Sequence, residues 1–196
     1  LINEWKLAHI SDIPKFLFFG ELWLDGNIKR VNGLLPSVIS AIKKWYKDFV
    51  VPKENLYELE YISWINIYPF ETFVDLVDFL SWKNEVKPIN TVKSVADIEL
   101  GNIDSNVDFE NIKGQIIAKR AMGIAAAGLH NVLMVWAPWS GKTMLSKALQ
   151  SILPPLSFDE ILEVSQIYSV IWKLNKDQPL IVQRPFRQVH HTASKI

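Results

Sequence analysis

The chain has 196 residues, enough for one large domain or two small ones. Its 21 Lys and Arg balance 21 Asp and Glu, so no global charge directs it to nucleic acid or to a membrane surface. It has no Cys, which excludes a disulfide framework and a thiolate metal site. No apolar run reaches the ~18 residues of a membrane span, and the N-terminus lacks the organisation of a secretory signal. A cytoplasmic protein is expected, with no membrane partner. Leu1 in place of Met, and the polar run His190 to Ile196, point to a fragment of a longer protein.

Two counts are anomalous: 8 Gly and 8 Trp. Glycine is about 4% of the chain against a usual share of about 7%, and tryptophan is far above normal. Counted together, the two types make up about 8%, close to the usual glycine share alone.

Residues 1–14 read as irregular, ending at Pro14. Lys15 to Asp25 reads as a strand interrupted at Gly20. Asp25-Gly26 is a hairpin signal, with Ile28 to Val31 returning. Leu35 to Tyr46 has helical periodicity, with apolar residues at Leu35, Val38, Ile39 and Ile42. Trp45 falls where that helix should stop, the place usually taken by Gly. Asp48 to Val51 and Ile65 to Tyr68 read as short strands, and Asn55 to Tyr61 as a turn or two of helix. Thr72 to Leu80 reads as a helix with Phe73, Leu76, Val77 and Leu80 inward, and Trp82 again stands at its stop. Residues 1–82 are thus expected to form a first α/β unit. Residues 83–106 lose periodicity and read as a linker, compatible with a short helix around Val95 to Leu100. Residues 107–196 form the second unit. It should contain a helix from about Gln115 to Ala127, capped by Asp108 or Asn111 and stopped by Gly128. A strand over 131–135 and a helix opening at Lys142 follow. Pro154-Pro155 ends that helix, and Ser157 to Glu160 reads as a capping box for the next, from Asp159 to Val170. Leu180 to Val182 reads as a last short strand.

The stretch His130 to Lys147 carries the chemistry. An apolar run (Val132 to Val135), a turn, Gly141-Lys142-Thr143 and a helical pattern give the strand–turn–helix context of a phosphate-binding loop. Backbone N–H groups and the positive end of the helix favour an anion there. The nucleotide-binding segment is read as Trp136, Ala137, Pro138, Trp139, Ser140, Gly141, Lys142, Thr143 and Met144. Lys142 is the candidate catalytic residue, reaching the β- and γ-phosphates, and Thr143 the candidate Mg²⁺ ligand. ATP and Mg²⁺ are the implied cofactors. The pattern G-x-x-x-x-G-K-[ST] asks for Gly at 136, where this chain has Trp, and Trp139 adds a second ring. A loop that wraps its backbone around phosphate uses Gly for close approach and for φ > 0.

Several blocks resemble a known family. Gly20-Glu21-Leu22, Leu24-Asp25-Gly26 and Pro52-Lys53-Glu54-Asn55 resemble the Lon-protease-like domain (ribosomal protein S5 domain 2-like) that opens the YifB/ComM family of magnesium-chelatase-like AAA+ ATPases. Lys113-Gly114-Gln115, Ala118 to Ala121, Ala125-Ala126, Gly128 and His130-Asn131 resemble the start of its ATPase domain. So do Ser140 to Leu145 and Leu153 to Leu156. Gln183-Arg184-Pro185-Phe186-Arg187, then His190 to Ser194, is similar to a segment peculiar to this family. The blocks stand in the family's order along nearly the whole chain.

The resemblance implies a partial Lon-like α/β unit followed by the N-terminal part of a P-loop AAA+ domain. It implies a homo-oligomeric ring, a hexamer, that hydrolyses ATP. Some relatives migrate branched DNA in natural transformation, so DNA is an implied partner, and inserting magnesium into a porphyrin is not implied. In relatives the Walker B acidic residues, arginine finger and sensor 2 follow the position of Ile196, so this fragment alone is expected to be inactive. A ring scaffold with a degenerate loop, and an ATPase that remodels proteins, are the alternatives. The lysine of the Lon Ser–Lys dyad has no counterpart in Gly33-Leu34-Leu35-Pro36-Ser37, so protease activity is not expected. Residues Ile112 to Gln115 are implied near the adenine. His190-His191 suggests a metal site only weakly, without Cys or suitably spaced carboxylates.

Relatives of this kind carry Gly where this chain has Trp136 and Trp139, and commonly at 45, 64, 82 and 172. Some bacterial lineages read the codon UGA as glycine, and another translation table reads it as tryptophan. Two readings are open on sequence alone: glycines rendered as tryptophan, or a paralogue with true Trp136 and Trp139 and weakened nucleotide binding.

Overall fold

Residues 15–81, 83–90, 93–98, 108–135, 137 and 140–187 are described in the computed structural model. The fold is α/β and contains a parallel sheet. Two units are distinguished: Leu1–Ile98 with Glu160–Ile181, and Glu99–Asp159 with Val182–Ile196. Residues 160–181 thus group with the first unit, whereas the sequence reading places them in a 107–196 domain.

In the first unit the expected Lys15–Asp25 strand is two short ones, β1 (Phe16–Phe18) and β2 (Glu21–Leu22). The break is at Gly20, whose φ of 145° lies outside the usual range of L-residues. β2 pairs antiparallel with β3 (Ile28–Lys29) across the turn that Asp25-Gly26 signals. There the Asp25 carboxylate accepts from the Asn27 N–H at 3.0 Å and its amide at 2.7 Å. Those two bonds, backbone first, hold the Asp25 carboxyl below its ordinary 3.8.

α1 (Leu34–Ile42) buries Leu34, Leu35, Val38 and Ala41, the stripe expected of an amphipathic helix. It ends four residues short of Tyr46. β4 (Asp48–Pro52) is buried from Phe49 to Pro52 and lies between β1 and β5 (Asn66–Phe70), parallel to both. A strand in the middle of a parallel sheet is covered on both faces, which explains its unbroken apolar run. α2 (Phe73–Leu80) starts at Thr72, whose Oγ1 accepts from the Asp75 N–H at 3.2 Å. Leu76 and Leu80 then pack with Ile28, Val50 and Phe70 in one core cluster, flanked by Phe16, Tyr68 and Phe79. Residues Lys53–Glu58 form a 3-10 turn, which places Asn55 and Glu58 inside.

In the second unit, Asp108 caps a 3-10 turn over Phe109–Asn111, accepting from the Glu110 N–H at 2.9 Å, instead of capping the following helix. α3 (Ile116–Gly128) is preceded by Gln115 at φ 54°. It ends at Leu129, the residue in left-handed conformation, rather than at Gly128. A Cβ at Gly128 would stand 2.3 Å from the exposed His130 ring, which would have to turn aside. α4 (Lys142–Ile152) forms near its expected bounds, as does α5 (Phe158–Val170), most of which groups with the first unit. Ile112, Ala118, Met122, Leu145 and Ala148 make the unit's core, with Phe109, Met134 and Leu149 at its edge.

Two expected strands do not form. Residues 131–135 form no strand ladder among the described residues, and Leu133 and Val135 are more than four-fifths exposed. Leu180 and Ile181 are buried, yet the Ile181 N–H donates to Ser165 Oγ at 2.8 Å, so a helix side chain takes the bond that a neighbouring strand would have taken. Among the described residues, no helix is long and apolar enough to cross a membrane.

Candidate phosphate-binding site

The site is built where the chain turns into α4. Gly141 precedes the helix at φ 84°, a left-handed conformation in which a side chain would be strained. No side chain caps this helix start, so its first N–H groups face the loop. The first helical bond runs from the Leu145 N–H to the Gly141 carbonyl at 3.0 Å. Leu145 and Ala148 anchor the other side of α4 in the core, which fixes where the helix start sits.

Lys142 folds back across the turn. Its Nζ donates to the Ala137 carbonyl at 2.7 Å and to Ser140 Oγ at 3.3 Å. Ala137 and Thr143 are exposed, and Ser140, Gly141 and Lys142 are half-buried. Met144 is exposed at the outer side of the helix. An ammonium, two hydroxyls and an uncapped helix start therefore lie within one four-residue turn, 140–143. That donor set fits a polyphosphate with its divalent cation. Trp136, Pro138 and Trp139 lie outside the described residues.

Gln115, implied near an adenine, bonds the loop, and Lys119, read as a helix-surface residue, ties down the segment before α3. Gln115 Nε2 donates to the Ser140 carbonyl at 3.4 Å, tying the start of α3 to the turn. Lys119 Nζ donates to the Ile112 carbonyl at 2.9 Å and sits 5.1 Å from the Phe109 ring centre. Ile112, implied near an adenine, is 4% exposed and belongs to the core. The Gln115 tie to Ser140 and the Lys119 tie to Ile112 are not visible in sequence, because each side chain acts through a backbone carbonyl.

Beside α4 lies a groove of about 330 Å³, with Met122 and Leu149 among its apolar lining and His130, Gln150 and Arg184 among its polar lining. Arg184 Nε donates to the Pro154 carbonyl at 2.9 Å, and Gln150 Nε2 donates to the Arg184 carbonyl. Arg184 is thereby a structural tie within the unit, and Arg187 is exposed. His190 and His191 lie outside the described residues. Among the described residues, no group of three His, Cys, Asp or Glu could hold a metal ion.

Residues 108–196 match the family model of magnesium chelatase, subunit ChlI. Residues 5–55 match a second model, subunit ChlI of Mg-chelatase. The chain is 35% identical over 178 residues to an uncharacterized protein of Mycobacterium tuberculosis, covering 91% of this chain and 34% of that protein. It is 32% identical over 192 residues to competence protein ComM of Haemophilus influenzae, covering 94% of this chain and 36% of ComM. It is 32% identical over 187 residues to uncharacterized protein YifB of Escherichia coli, covering 94% of this chain and 35% of YifB. The chain spans about a third of the length of these relatives. With two ChlI models matched in order and ComM and YifB aligned over nine-tenths of its residues, the chain belongs to the YifB/ComM family of magnesium-chelatase-like proteins.

Proposed function

We propose that the full-length protein is an ATP-hydrolysing AAA+ ring motor, a hexamer in the cytoplasm, and that it acts on DNA. The observation that carries this reading is the placement of Lys142 and Thr143 directly after Gly141, at an uncapped helix start. ATP with Mg²⁺ supplies the phosphoanhydride whose cleavage drives the motor. Lys142 exchanges the Ala137 carbonyl for phosphate charge. Thr143 would offer its hydroxyl to Mg²⁺, and the backbone N–H groups of 140–143 would donate to phosphate oxygens. Ser140 and Gln115 hold the turn in position for this exchange.

In this proposal the first unit is a partial Lon-like domain, and the relatives' additional length supplies the remaining ATPase elements. DNA is favoured as substrate by the competence protein among the relatives. The rival scaffold reading is favoured by Trp136 and Trp139, whose rings would crowd a phosphate. ATP turnover by the full-length protein separates the two. Turnover stimulated by branched DNA supports the DNA motor, and turnover indifferent to DNA supports a protein-remodelling ATPase.

A further inference from the structure

Five non-glycine residues have positive φ among the described residues, and three of them are Trp45, Trp64 and Trp172. Only four tryptophans are described, the fourth being Trp23. Positive φ occurs in a few per cent of non-glycine residues and is a true outlier for a bulky one. Three of four by chance is on the order of one in ten thousand. The values, 70°, 71° and 58°, fall beside those of Gly33 (64°) and Gly114 (71°).

The local bonding shows what these positions are. After α1, the Tyr46 N–H donates to the Ala41 carbonyl at 3.2 Å and the Trp45 N–H to the Ile42 carbonyl at 2.9 Å. After α5, the Lys173 N–H donates to the Tyr168 carbonyl at 3.0 Å and the Trp172 N–H to the Ser169 carbonyl at 3.3 Å. Both pairs are the 6→1 and 5→2 bonds of a Schellman motif, and tryptophan occupies the C′ residue, where glycine is usual. Leu129 occupies the same position after α3, so a side chain there is possible; what is anomalous is the concentration in one residue type. Nothing compensates at two of the three sites, since the indoles of Trp45 and Trp64 are 88% and 89% exposed. Trp172 gains one contact, the Arg30 guanidinium 3.8 Å from its ring centre.

We infer that the codons for residues 45, 64 and 172 are UGA and that the cells making this protein read them as glycine. The same reading puts glycine at 136 and 139, so that the loop 136–143 becomes G-A-P-G-S-G-K-T. This inference goes beyond the proposed function and does not depend on it, because it rests on backbone conformation in the first unit. The excess of tryptophan, the shortage of glycine and the strained helix ends then have one cause.

The test is peptide mass spectrometry of the full-length protein isolated from its native cells, with sequencing of its gene. The expected result is UGA codons and glycine masses at 45, 64 and 172, and glycine again at 136 and 139. A tryptophan mass, or a UGG codon, at any of the first three overturns the inference. Glycine at those three with tryptophan at 136 or 139 overturns its extension to the loop. ATP turnover plays no part in either result, so failure here is distinct from failure of the motor reading.

Discussion

Asn55 is the residue on which the interior of the first unit depends most. It is 1% exposed, and its amide makes three hydrogen bonds: Oδ1 accepts from the Val31 N–H at 2.9 Å, and Nδ2 donates to the Val31 carbonyl and to Glu58. Glu58, 4% exposed, also accepts from Ser169 Oγ at 2.6 Å. Removing one member of a satisfied buried network leaves the others unpaired. Asn55→Ala is expected to destabilise the fold by about 2–3 kcal/mol, read from the urea midpoint. Gly20 is constrained by space as well as by φ, since a Cβ there would stand 2.6 Å from Ile28 Cγ2, a core atom. Gly20→Ala is expected to cost about 1–3 kcal/mol in the same measurement. An unchanged midpoint in either variant would refute the corresponding assignment.

At the scale of elements, helices were legible in the sequence and isolated strands were not. α1, α2, α3, α4 and α5 announce themselves by apolar spacing and by boundary residues such as Thr72 and Pro154, all local signals. Thr72→Ala should lower stability by about 1 kcal/mol, seen as a lower melting temperature, by loss of the Asp75 N–H acceptor. Strands need partners, and an apolar run does not say where its hydrogen bonds go. The runs 132–135 and 180–182 have the same look in sequence as β4, yet only β4 finds neighbours. The turn 140–143 was legible because Gly, Lys and Thr stand together at a helix start. The Asn55–Glu58–Ser169 network was not, because Glu58 and Ser169 are 111 positions apart. On the proposed function, 132–135 pairs with further strands in the full-length protein. Slow amide exchange at Leu133 and Val135 there is the expected outcome, and fast exchange would count against it.

For the molecule as a whole, pH dependence follows from two tyrosines. Burial is the main force raising both Tyr57 and Tyr68 above the ordinary 10.0, with Glu58 and Asp48 respectively adding to it. A raised acid is more strongly protonated in the folded chain than in the unfolded one. Its contribution to stability is therefore complete below pH 10.0 and is lost as pH rises through the higher folded value. Urea midpoints taken from about pH 9 to about pH 11 are expected to fall, and Tyr68→Phe should make that fall shallower. An identical fall in the variant would show that Tyr68 contributes nothing to it.

This chain spans about a third of the length of its relatives, and the proposed activity is that of the full-length protein. On the proposed function, the turn at Gly141 to Thr143 binds the phosphates of ATP. The most direct measurement is steady-state ATP turnover by the full-length protein from its native cells, compared with its Lys142→Ala variant. Turnover is expected to be measurable and to fall about a hundredfold or more when the Lys142 ammonium is removed. Equal turnover in the two proteins, or none in the natural one, would contradict it.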